Sequence, residues 1–182
     1  MTEVLLIAGP AGVGKSSVAI EISLKLHRAE VDHALIDTDE LDRIYPVPGD
    51  LPRLTERNLA AVWDGFAERG AQRLILVGVH LDRPTEREWI ARAVPAGHVT
   101  CVRLQASDRS LRARILRREQ GSGAEAQWLR TQHQVGMARD LEADVEVIET
   151  DGIPIAEAAR RILDRWPASP GSLAEQTGSS GS

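Results

Sequence analysis

The sequence is short of cysteine, lysine and aromatic residues. Its 182 residues include one cysteine, Cys101, one tyrosine, one phenylalanine and two lysines. A single cysteine excludes an internal disulfide, so the fold must rest on its core. Cys101 lies in the apolar stretch "VTCVRL" and is expected to be a buried structural thiol. No apolar run reaches the roughly 18 residues of a membrane span, and the chain enters a strand-like run at once, without the pattern of a secretory leader. The expected setting is cytoplasmic, with no membrane partner. An excess of positive charge is missing as well: the formal net charge is −5. That balance offers no general footprint for nucleic acid, although the basic residues, nearly all arginine, leave room for a local positive pocket.

What is present is a regular alternation. Short β-branched runs at residues 4–8, 33–36, 74–79, 99–104 and 145–148 are separated by amphipathic patterns at about 15–28, 55–69, 85–93, 107–118, 124–141 and 154–165. Strands alternating with helices predict an α/β fold with five parallel strands flanked by helices, and ligands at the carboxyl ends of the strands. Thr55, Ser107 and Pro154 mark expected helix starts. Residues 1–166 are expected to form one domain, and the glycine- and serine-rich residues 167–182 a disordered tail.

The strongest local signal follows the first strand. Gly9-Pro10-Ala11-Gly12-Val13-Gly14-Lys15-Ser16 fits the phosphate-binding pattern G-x-x-x-x-G-K-[ST], between a strand and a helix as that pattern requires. A phosphate chain needs several N–H donors aimed at one place, which glycine permits by letting the backbone come close. Lys15 adds a compact charge for the β- and γ-phosphates, the start of the helix through Ser17 adds its dipole, and Ser16 offers a hydroxyl to magnesium. A planar arginine suits this loop less well, which accounts for lysine here in an arginine-biased chain.

The second strand ends in "DTD", placing Asp37 and Asp39 at the same edge of the sheet. Asp37 is expected near the metal, and Asp39 is the candidate base for a hydroxyl nucleophile. The competing role for either is to cap the next helix, expected at "DELDRIY", where Asp42 and Arg43 are expected on a solvated face.

With these features in place, the chain over about residues 3–166 resembles the small P-loop kinases of the adenylylsulfate, gluconate and shikimate kinase type, and chloramphenicol phosphotransferase. The resemblance rests on the P-loop, the "DTD" and an arginine-rich helix ahead of "EQGSG". It implies ATP with magnesium and transfer of the γ-phosphoryl group to a small hydroxylated molecule. It also assigns Asp37 and Asp39 to metal and acceptor, with Asp39 as base. A lid at about 117–133 is implied, with Arg114 and Arg118 on the nucleotide and Arg117 on the transferred group; equally, these arginines suit the polar face of an amphipathic helix. "ETDGIPI" resembles the loop that wraps adenine, which would bring Asp151 and Ile153 to the base. "VGVHLDRP" lacks the triple glycine of shikimate kinases, and Thr38 and Glu40 depart from the adenylylsulfate kinase pattern.

Acceptor recognition is expected from Arg53, Arg57 and His80, with Asp82, Arg83 and Arg87 nearby, a set with enough cations for an anionic or polyhydroxylated ligand. The four tryptophans are expected mainly to pack, with Trp128 close enough to the lid to cover a ligand. Two alternatives share the P-loop: a nucleoside or nucleotide kinase, and a nucleotide-dependent regulatory ATPase that binds a protein.

Overall fold

The computed structural model describes residues 2–95, 98–118, 123–136 and 143–166. The expected tail at 167–182 and part of the expected lid, at 119–122, lie outside the described residues. Five strands, β1 (Glu3–Ala8), β2 (Ala34–Asp37), β3 (Arg73–Val77), β4 (His98–Gln105) and β5 (Val145–Glu149), form one parallel sheet in the order β2-β3-β1-β4-β5. Helices α1 (Lys15–Arg28), α2 (Leu51–Ala67), α3 (Pro84–Ala93), α4 (Asp108–Arg118), α5 (Gly123–Gly136) and α6 (Ile155–Leu163) run between and after them.

β1 is central and apolar on both faces because helices cover both. Leu5 and Ile7 belong to one buried cluster with Ile22 and Leu26 of α1, Leu111 of α4 and Ile162 of α6. Val4 and Leu6 belong to the other, with Leu59 and Trp63 of α2 and Ile90 of α3. Each large apolar side chain so buried stabilises the fold by about 1.5–3 kcal/mol. No described helix is long and apolar enough to cross a membrane.

Two local readings need correction. α2 begins at Leu51, not Thr55: Pro52 occupies its first turn, where no amide donor is needed, and the Thr55 hydroxyl donates back to Leu51 O at 2.9 Å. "DELDRIY" makes only a 3-10 turn at Thr38–Glu40, since Pro46 and Pro48 follow closely and oppose a longer helix. α4 and α6 start next to Ser107 and Pro154 as expected, with Ser107 Oγ accepting from Ser110 N at 3.3 Å.

Candidate active site

The loop between β1 and α1 is built by close approach. A Cβ on Gly9, at φ +142°, would lie 2.6 Å from Leu104 O, and one on Gly12, at φ +80°, 2.9 Å from Ile115 Cγ1. Gly14 sits at φ +105° with open space around it and precedes α1 without a side-chain cap, so the helix amides face the cavity beside the loop. That cavity has a volume of about 600 Å³ and is lined by the loop from Ala11 to Gly14, by Lys15, Ser16 and Ser17, and by Asp37 and Asp39. Gly9 and Pro10 lie behind it, where Pro10 O accepts from Lys15 Nζ at 3.1 Å.

Asp37 serves two neighbours. Ser16 Oγ donates to its Oδ2 at 3.2 Å, and Asp39 N donates to its Oδ1 at 3.1 Å. The capping role and the position beside the phosphate loop therefore belong to the same carboxylate. The capped amide is that of Asp39 itself, and Thr38 Oγ1 donates to Val77 O at 3.0 Å, tying this turn to the end of β3.

Arg114 and Arg117 both line the cavity. Arg114 joins three segments: its Nη1 donates to Val13 O and to Thr150 Oγ1, and its Nη2 to Thr150 O, each at 2.9 Å. The phosphate loop is thereby fastened to the segment after β5. The side chain of Arg118 lies outside those described. Ile153 lines the same cavity with Pro154 and Ile155. Asp151 does not: its carboxylate turns to α4 and accepts from Ser107 N at 2.9 Å, and hydrogen bonds from Ser110 and Ser107 hold its pKa below the usual range.

Three residues of α5 in this lining, Gln127, Arg130 and Gln134, were not anticipated. Gln134 Oε1 accepts from Ala11 N at 2.9 Å. The only trace in the sequence is the polar side of the α5 pattern.

A second cavity, also about 600 Å³, lies between the ends of β2 and β3 and the helices α2 and α3. Asp39, Val79 and Gln134 line both cavities. Arg53 and His80 line the second one, whereas Arg57, Arg83 and Arg87 line neither. Burial, and then the charge of Arg83, lowers the His80 pKa. Asp42 lines the second cavity rather than a solvated face, and burial followed by repulsion from Asp39 raises its pKa. Arg43 does stay on the surface, paired with Glu40 at 2.9 Å. Asp82 is buried against Arg103, a pairing that the spacing did not reveal. Cys101 is buried and free, and burial pushes its thiol up to about 12. Trp63 and Trp166 are buried and Trp128 packs against the core, while Trp89 lines the second cavity.

The architecture is that of the small P-loop kinases. A sugar kinase from Janibacter sp. HTCC2649 superposes with a TM-score of 0.61 at 20% identity, over 91% of this chain and 94% of that one. A gluconokinase from Sinorhizobium meliloti 1021 gives 0.59 at 21%, over 89% and 90%. The APS kinase of Mycobacterium tuberculosis gives 0.58 at 18%, over 90% and 96%. No protein-family model and no curated protein matches the sequence.

Proposed function

We propose that this chain is a magnesium-dependent kinase that moves the γ-phosphoryl group of ATP to a hydroxyl of a small molecule. The observation that carries this reading is the position of Asp39 in the wall common to both cavities. A donor on one side and an acceptor on the other would meet at that carboxylate. A regulatory ATPase that binds a protein needs no such second chamber.

The roles follow from the surroundings. The loop amides and Lys15 hold the phosphates, and Ile153 and Pro154 flank the base, with Arg114 setting the distance between the two ends of the nucleotide. Ser16 Oγ and Asp37 supply two oxygen donors side by side, a set that suits a hard cation keeping most of its ligands as water and phosphate. Bound there, magnesium would supply neutralisation of charge on the phosphate oxygens.

Asp39 orients the acceptor hydroxyl and takes its proton. The acceptor oxygen forms a bond to the γ-phosphorus as the bond to the β–γ bridging oxygen breaks, and ADP departs with that electron pair. Arg117 and Arg130 provide guanidinium groups for the charge on the equatorial oxygens, in the manner of a lid. The lone free thiol fits a reducing, cytoplasmic setting.

The test is Asp39→Asn. ADP release stimulated by an acceptor should fall by about 100-fold or more, the usual worth of a general base, while calorimetric titration shows ATP still bound. Turnover equal to that of the parent would remove Asp39 from the mechanism.

A further inference from the structure

The charges around the second cavity are unevenly matched. Asp39, Asp42, Glu56 and Glu86 line it, against Arg53 and Arg92. Arg92 is committed to Glu56 through two hydrogen bonds, of 3.0 and 2.8 Å. Glu86 accepts from Trp89 Nε1 at 2.7 Å, which fixes its carboxylate without neutralising it. Asp39, Asp42 and Glu86 are thus opposed by Arg53.

Arg83 stands outside the lining and acts on His80, and the other neighbouring cations are engaged elsewhere. Arg43 faces Glu40 on the surface, Arg87 binds Asp144 at 3.0 and 2.6 Å, and Arg103 is buried against Asp82. His80 is held toward its neutral form by burial. Burial, and then the charge of Asp39, raises the Asp42 carboxyl. Leu51, Leu81 and the Trp89 ring supply apolar surface beside Thr38, Thr55, Thr85 and Gln134.

An acceptor bearing a carboxylate, sulfate or phosphate would add like charge to a partly desolvated site. An ammonium group would find two carboxylates, and the carbon skeleton would find the indole. We propose that the acceptor is an alcohol carrying an amine and no acid group, with the amine met by Asp42 and Glu86 and the hydroxyl by Asp39. This deepens the kinase reading above and rests on it. Of the expected anionic or polyhydroxylated ligand it drops the anionic form, because Arg57, Arg83 and Arg87 do not line the cavity.

ADP release from ATP and magnesium is to be followed with matched compounds differing in one substituent: glucosamine, glucose and glucuronate, then serinol, glycerol and glycerate. In a set that is turned over, the amine should exceed the acid by about tenfold or more in kcat/KM, the scale of a charge reversal at a binding site. Asp42→Asn and, separately, Glu86→Gln should each shrink that ratio severalfold. Equal or better use of the acid overturns the proposal and leaves the kinase reading standing, as does a ratio unmoved by both variants. If no compound stimulates release while ATP still binds in titration, both readings fall together.

Discussion

The Ala11 amide belongs to the loop proposed to hold phosphate, and in the structure it donates to Gln134 Oε1. A phosphate oxygen binding there must first displace the glutamine. Gln134→Ala should therefore bind ADP more tightly by about fivefold, equivalent to the roughly 1 kcal/mol of one hydrogen bond, as read by calorimetry. Weaker binding would mean that Gln134 contacts the nucleotide instead of competing with it. The same residue shows where sequence reading stops. Lys15, Ser16 and Asp37 were legible because a local pattern prescribes their chemistry. Gln134 reaches Ala11 across 123 positions, and nothing in "RTQHQVG" says whether Gln132 or Gln134 turns inward. Asp151 was equally hard to place, because nothing in "ETDGIPI" says that its carboxylate meets the start of α4 while Ile153 and Pro154 line the cavity.

Among the elements, the phosphate loop makes the sharpest energetic claim. Gly9 and Gly14 both have positive φ, yet only Gly9 is pressed against another strand. Gly14→Ala should cost about 1–2 kcal/mol, the penalty of a left-handed backbone alone. Gly9→Ala should cost more in chemical denaturation, because Leu104 O belongs to β4 and cannot yield without disturbing the sheet. Equal losses would show that the contact with β4 relaxes easily. All five strands were legible to within two residues because their β-branched runs are fully or half buried. The start of α2 was less visible. Thr55 has the chemistry of a cap, but the proline three positions before it can begin the helix at no cost in hydrogen bonds, and the apolar pattern alone does not choose between them.

For the whole molecule, the buried Asp82–Arg103 pair links the segment after β3 to the end of β4, with both side chains only 3% exposed. Removing one member strands the other charge. Asp82→Asn should destabilise the fold by about 3–5 kcal/mol, and replacing both, Asp82→Leu with Arg103→Met, should recover most of that loss in the same denaturation measurement. A double variant no better than the single one would mean that the pair holds the backbone in place through geometry and not through charge balance. The pair was invisible in the sequence because its members lie 21 positions apart on separate elements, and each resembles an ordinary surface residue.

The strand order divides labour across the sheet. Much of the first cavity, proposed to take the nucleotide, is built where β1, β4 and β5 end, and much of the second where β2 and β3 end, with the boundary falling at the β1–β3 seam. A lineage with this layout can exchange the connections after β2 and β3 and so acquire a new substrate, while its energy source passes down unaltered from ancestor to descendant.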